Sequence, residues 1–203
     1  MPTSRRSATK ARLVRAAISE FALRGIDGTS VEQLCEAAGF TRGAFYSNFE
    51  SKDDLCIEVT RRIAADAAQA LQSALFDIPD ELDRDDMVRY LFATQEQGME
   101  VRTTQMELEL RAHRDPGFSE RFREARADLW PAFYQLAEEA AARAKVEFLI
   151  DIRELMFIYE AIYYYPGGEA GTERTARLLT VISRQFTRPL KDGSADTERE
   201  DHA

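Results

Sequence analysis

Cysteine is nearly missing from this 203-residue chain, which has only Cys35 and Cys56. Two are too few for a disulfide framework, and neither stands at metal-ligand spacing from a histidine or from the other. Histidine is as scarce, at positions 113 and 202 only. With no base beside either thiol, no phosphate-cradling glycine loop and no acid–histidine cluster, catalysis would need unpatterned carboxylates, so the expectation is no enzyme, no cofactor and no metal. Also lacking is any apolar run near the ~18–20 residues that span a bilayer, and the charged start is not followed by a signal-type apolar stretch. A cytoplasmic chain with no membrane partner is expected. Period-two alternation is almost absent, which leaves no strand to pair and excludes a sheet protein.

The charge is unevenly spread. Twenty-seven Lys and Arg against 36 Asp and Glu give −9, so the whole chain cannot coat a polyanion. Residues 1–52, however, carry eight bases and five acids, a net +3, and the remainder sums to −12. Arg5, Arg6, Lys10, Arg12 and Arg15 precede the first acid and read as a phosphate-seeking arm, or, more blandly, as a solvated tail.

Apolar residues recur at helical spacing nearly throughout, so the fold class is all-α, with about nine helices. Val14, Ala17, Ile18 and Phe21 form one buried stripe, and Gly25 stops it. Thr29 and Ser30 offer N-caps to a second helix, with Gln33 placed for a capping box, and Gly39 ends it. Thr41 caps a short third helix whose inward residues are Phe45 and Phe49. Ser51 caps a long fourth helix to about Phe76, with Asp53 and Asp54 at its positive end. A further pattern from about Asp85 weakens at Gly98, and Asp115-Pro116 starts another helix, expected to run to about Lys145 with a kink at Pro131. Ile152–Tyr165 is apolar almost all round, a ninth helix uses Leu179, Ile182 and Phe186, and the charged tail from Pro189 is expected to be disordered.

Three short helices, the second and third joined by Ala38-Gly39-Phe40, have the layout of a helix-turn-helix. The string Ala37-Ala38-Gly39-Phe40-Thr41-Arg42-Gly43-Ala44-Phe45-Tyr46-Ser47-Asn48-Phe49, followed by Lys52 and Leu55, resembles the DNA-binding segment of the TetR family of transcriptional regulators. The likeness is close over about residues 8–62. It implies an N-terminal arm and helix-turn-helix domain over 1–52, a linker helix over about 52–76, a ligand-binding and dimerisation domain over 77–188, and a tail over 189–203.

Carried over by position, the resemblance puts Thr41, Tyr46, Asn48 and Lys52 on phosphates and Arg42, Gly43, Ala44 and Ser47 toward base edges. Asn48 departs from the usual His or Tyr, yet an amide also donates. Arg42 is the one long donor on the presumed reading face, suited to guanine, though a phosphate contact stays open. The resemblance further implies a homodimer through the last two helices, with Ile158, Ile162, Tyr165, Leu179, Ile182 and Phe186 at the interface. Tyr90, Met99, Met106, Trp130, Phe133, Tyr134, Tyr159 and Tyr163 have the composition of an adaptable ligand cavity, although each alone reads as ordinary core. Gln105, Glu107, Glu109 and His113 are open to either cavity or solvent.

The expected partners are therefore a double-stranded DNA operator, a small hydrophobic or aromatic effector, and a second copy of the chain. The reading is a repressor released from a palindromic operator by its ligand. The alternative is a ligand-independent DNA-binding dimer, architectural or activating.

Overall fold

The computed structural model describes residues 4–79, 82–93, 98–164 and 171–190. Among them are ten helices: α1 (Ser4–Arg24), α2 (Val31–Ala38), α3 (Arg42–Tyr46), α4 (Lys52–Phe76), α5 (Arg84–Ala93), α6 (Met99–Arg114), α7 (Pro116–Ala127), α8 (Trp130–Arg143), α9 (Ile152–Tyr164) and α10 (Gly171–Phe186). Two three-residue strands, β1 (Val146–Phe148) and β2 (Thr187–Pro189), complete the list. The fold is all-α, as the periodicity indicated, with this one ribbon as an addition.

Local signals in the sequence account for most boundaries. Gly25 and Gly39 adopt positive φ, 74° and 69°, which a residue with a Cβ resists, and each stands just past a helix end. Ser30 and Gln33 form the reciprocal capping box, with Ser30 N–H donating to Gln33 Oε1 at 2.8 Å and Gln33 N–H to Ser30 Oγ at 3.2 Å. Ser51 and Asp54 repeat that exchange at the head of α4. Asp115 Oδ1 accepts from the amides of Gly117 and Phe118, and Pro116 takes the first helical position, where its missing N–H costs nothing.

Three expectations need correction. The helix from Pro116 does not run kinked to Lys145: α7 ends at Ala127 and α8 begins at Trp130. Pro131 lies in the first turn of α8, where its ring fits, so the chain breaks before the proline instead of bending at it. The expectation of no pairing strands fails as well, because β1 and β2 pair antiparallel with Val146 opposite Pro189 and Phe148 opposite Thr187. Three-residue strands are too short to show a period in the sequence. Finally, Pro189 belongs to β2, and Leu190 N–H donates to the Lys145 carbonyl at 2.8 Å, so the expected tail starts later. Its remainder, 191–203, lies outside the described residues, as do Pro166, Gly167 and Gly168.

The chain gathers into two compact units, one drawn from residues 1–73 and 95–133, the other from 74–94 and 134–203. This division cuts across the boundary expected at residue 77. In the first unit Leu13, Ala17 and Phe21 of α1, Leu34 of α2, Phe45 of α3 and Leu55 and Val59 of α4 share one buried cluster with Leu108 of α6 and Phe118 and Phe122 of α7. The α6 helix lies along α1, where Thr104 Oγ1 donates to the Ile18 carbonyl at 2.7 Å. The α1–α3 helices alone would leave much of this cluster uncovered, and α6 with α7 supplies the missing cover.

In the second unit α10 packs against α5 and α9. Leu155 and Leu179 are fully buried there, and the buried hydroxyls of Thr180 and Thr187 donate one turn back to the carbonyls of Ala176 and Ser183. The Tyr159 phenol bonds the Ser183 hydroxyl, and the Tyr159 ring meets Phe92 edge-on at 5.6 Å. Asp85 at the head of α5 accepts from Arg84 and from Arg184 of α10.

Candidate nucleic-acid interface

The α3 helix is held by its inner side. Phe45 is fully buried and Phe49 nearly so, their rings 5.6 Å apart, and Arg12 of α1 lies over Phe40 at 4.7 Å while donating to the Ala38 carbonyl at the end of α2. Phe45 and Phe49 thus anchor the helix from its inner side, with Phe40 held half-buried beneath Arg12. Thr41 has extended backbone and accepts from Ala44 N–H at 3.3 Å, so its hydroxyl caps α3 while the residue stays exposed.

The outer side of α3 presents Thr41, Arg42, Gly43, Tyr46 and Ser47 to solvent, with Ala44 half-buried beside them. A Cβ at Gly43 would meet only the Thr41 hydroxyl, at 3.8 Å, so this stretch of surface is low and open. Arg6 of α1 donates to the Ser47 carbonyl at 3.1 Å, which brings one base of the N-terminal cluster to the end of this face. Other members of that cluster are engaged elsewhere: Lys10 pairs with Glu58 at 2.8 Å, and Arg12 has the bracing role above.

Two residues expected on phosphates have internal partners. Lys52 Nζ donates to the carbonyls of Ile26 and Thr29 at 2.7 and 3.1 Å, which fastens the α1–α2 connection to the head of α4. Asn48 Nδ2 donates to the Ala44 carbonyl and the Ser47 hydroxyl, and its Oδ1 is buried without a partner. Both residues are half-buried and have these contacts within the fold.

Sequence reasoning missed Glu32. From α2 it pairs with Arg42, Nη1 to Oε1 at 2.6 Å, and Arg42 also lies over the Tyr46 ring at 5.8 Å. Hydrogen bonding to Tyr46 first, then the Glu32 charge, push the already high pKa of Arg42 further up. Only the spacing across a turn brings residues 32 and 42 together, so no local signal could have found the pair.

Behind this face α6 and α7 grip the same helices. Glu107 accepts from Ile26 N–H at 3.1 Å, Arg111 pairs with Asp27 and Asp53, and Arg121 pairs with Asp54. Of the four polar residues left open on α6, Glu107 is therefore a loop brace, Glu109 pairs with Arg126, and His113 is exposed. Gln105 is half-buried. Burial first of all raises both thiols, Cys56 to about 12, so neither is a ready nucleophile or metal ligand. Among the described residues no group of three or more His, Cys, Asp or Glu could hold a metal, and no helix is long and apolar enough to cross a membrane.

The expected cavity residues come from both units. Met99, Met106, Trp130 and Phe133 belong to the first unit, Tyr90, Tyr134 and Tyr159 to the second. Met99 and Met106 are 78% and 59% exposed, so neither lines an enclosed cavity; each falls on the outer side of α6, opposite the buried Thr104 and Leu108. Tyr90, Trp130, Phe133, Tyr134 and Tyr159 are half-buried, and the Tyr163 side chain lies outside the described residues.

The residues expected at an interface differ in burial. Leu179 is fully buried in its own chain and cannot meet a partner, because it faces α5 and α9 from the inside of α10. Ile158, Ile162, Ile182 and Phe186 are half-buried, and Tyr165 lies outside the described residues. Phe157 of α9 and Leu178 and Val181 of α10 are exposed apolar residues, at 68%, 40% and 47%.

Residues 13–59 match the family model described as bacterial regulatory proteins, tetR family. Over 51 residues the chain is 39% identical to the protein named as an acrEF/envCD operon repressor in Escherichia coli K12, covering 25% of this chain and 23% of that one. Matches to curated relatives span only about a quarter to a third of their own lengths. By fold, a TetR-family regulator from Rhodococcus sp. covers 89% of this chain and 98% of its own at 17% identity, with a TM-score of 0.71. A transcriptional regulator from Saccharomonospora viridis, in complex with choline, covers 90% and 99% at 17% identity and a TM-score of 0.64. Residues 13–59 thus match the tetR-family model in sequence, and about nine-tenths of the chain shares the fold of these solved regulators.

Proposed function

We propose that the chain is a transcriptional repressor that binds a two-fold DNA operator as a homodimer and leaves it when a small molecule binds. The observation that carries this is the outer side of α3: Thr41, Arg42, Gly43, Tyr46 and Ser47 exposed together on a helix anchored by Phe45 and Phe49. A hydroxyl and a phenol at the edges of that face suit phosphate oxygens, while Arg42 and Ser47 suit base edges across the low surface at Gly43 and Ala44. Of the exposed N-terminal bases, Arg5, Arg6 and Arg15 are the phosphate-seeking ones, while the exposed Arg12 is engaged with Phe40 and the Ala38 carbonyl.

The outward apolar residues Phe157, Leu178 and Val181 support a symmetric contact between copies through α9 and α10. Such a dimer matches half-sites about 34–36 Å apart, or a multiple of that. The Phe92–Tyr159 ring pair supports a small effector of hydrophobic or aromatic character, and the choline carried by the Saccharomonospora viridis neighbour is an example of aromatic-friendly chemistry in a protein of the same fold. An effector lowers operator affinity only by binding better to a form whose reading helices are wrongly spaced, and α4 is the element that begins at the reading head and leads away from it.

Selection of wild-type chain against random duplex DNA tests the reading. A recovered site with two related half-sites is expected; no enrichment, or single half-sites only, overturns it. A screen in which no compound both stabilises the protein and releases that duplex would favour ligand-independent binding.

A further inference from the structure

We propose that Glu32 is a specificity-determining positioning residue: it holds the Arg42 guanidinium off the phosphates and directs it to a guanine edge. This rests on the reading of α3 as the base-reading helix. The two residues come from different helices, yet Nη1 and Oε1 are 2.6 Å apart, with the Tyr46 ring 5.8 Å from the guanidinium carbon. Arg42 therefore stands between a carboxylate on α2 and a ring one turn along α3.

A carboxylate on a DNA-facing surface needs a reason, because it repels the phosphates around it. The side chains of Glu32 and Arg42 are 56% and 61% exposed, so the pair adds little to folding in water. Its effect lies on the DNA. An unpaired arginine gains affinity from any phosphate by releasing counterions, whatever the sequence. Paired with Glu32, Arg42 carries no net charge to the duplex, and that sequence-blind gain is largely removed. Guanine recognition survives the pairing. A guanidinium has five N–H donors, and the carboxylate engages only part of them, which leaves donors for O6 and N7 of one guanine. In the groove, where water is excluded, the carboxylate contact strengthens and fixes the direction of those donors. Glu32 thus lowers binding to wrong sequences more than to the right one, which is how specificity is raised without new contacts.

The test uses the full-length chain and two duplexes, one recovered by the wild-type protein from a random pool and one of the same composition in scrambled order, each titrated across a salt series. Glu32→Gln keeps size and polarity on an exposed position. It should bind the scrambled duplex several-fold tighter, with a salt slope steeper by about 1, and its selected-to-scrambled ratio should fall about tenfold. Glu36→Gln removes the same charge one turn along α2 and should raise both affinities alike, leaving the ratio unchanged. In an Arg42→Ala background Glu32→Gln should no longer alter the ratio. Glu32→Asp, which keeps the charge but shortens the reach, should lose part of the selectivity and steepen the salt slope by less than Glu32→Gln does. An unchanged ratio in Glu32→Gln, or the same change with Arg42 absent, overturns the proposal while the base-reading role of α3 stands. A wild-type ratio near one overturns both.

Discussion

Arg111 Nη2 of α6 lies 2.8 Å from Asp53 Oδ1 in the first turn of α4, while Nη1 of the same guanidinium lies 2.9 Å from Asp27 in the α1–α2 connection. One side chain thus fastens two separate parts of the first unit. Asp115, the N-cap of α7, stands 3.7 Å away, and the guanidinium also covers the Phe118 ring. Because Arg111 is mostly buried and Asp53 is about three-quarters buried, Arg111→Met should cost about 1–3 kcal/mol, the usual loss for hydrogen bonds to charged groups. Asp27 is 68% exposed, so Asp27→Asn should cost less than about 1 kcal/mol. Urea unfolding of the two variants checks the ranking, and equal losses would refute it.

Lys52 gives a second prediction. Its ammonium donates to two carbonyls of the connection before α2, and removing it leaves both acceptors short of a partner. Lys52→Ala should destabilise the chain by about 1–2 kcal/mol, which lowers the thermal midpoint by roughly 2–6 °C. The salt slope of DNA binding should stay as in wild type. A slope smaller by about 1 with the midpoint unmoved would return the lysine to a phosphate.

Acid should act on the second unit through Asp85. Hydrogen bonds from Arg184, and then from Arg84, outweigh burial and hold this carboxyl below its ordinary 3.8. A carboxyl depressed on folding adds stability above its unfolded value and loses that contribution as pH falls through the lower folded value. Asp85→Asn should therefore be less stable than wild type at pH 7, and the gap should close below about pH 4. Denaturant midpoints at the two pH values measure this, and a gap that persists in acid would show that the ion pairs do not carry it.

Pro131 separates two accounts of the α7–α8 region. Inside a continuous helix, replacing a proline by alanine restores a backbone bond and relieves a clash worth about 3 kcal/mol. In the first turn of α8 there is no such bond to restore. Pro131→Ala should change stability by less than about 1 kcal/mol, and a gain near 3 would mean that the helix is continuous.

Assembly is probed at the outward surface of α9 and α10. Phe157→Glu or Val181→Asp places a charge on exposed apolar surface, which leaves the folded chain intact by circular dichroism and should dissociate the dimer in sedimentation. Leu179→Asp should instead unfold the second unit, since that residue is fully buried in its own chain. A dimer that survives both outward charges would place the contact elsewhere.

What the sequence disclosed follows the range of each interaction. Ser30 with Gln33, Asp115 with Pro116, and the glycines at 25 and 39 act within a turn of themselves, and each marks its boundary in both sequence and structure. The anchoring of α3 was equally legible, because Phe45 and Phe49 are one helical turn apart. Partners distant along the chain left no such trace. Arg111 meets residues 58 and 84 positions away, and Lys52 meets carbonyls whose identity no side chain announces. Leu179 and Val181 lie on the same apolar helix, and only the packing of α10 against α5 and α9 decides which of them is hidden.

The β1–β2 ribbon sets a limit on where this chain can be cut or joined. Its three residue pairs tie the segment after α8 to the segment after α10, with Arg188 paired to Glu147 across it and Leu149 N–H donating to the Phe186 carbonyl at 2.8 Å. The stretch holding α9 and α10 is thus closed at its base like a purse with a drawn string. A reporter domain or affinity tag spliced directly after Phe186 would remove β2 and leave that base open, whereas one attached beyond Leu190 keeps every ribbon bond.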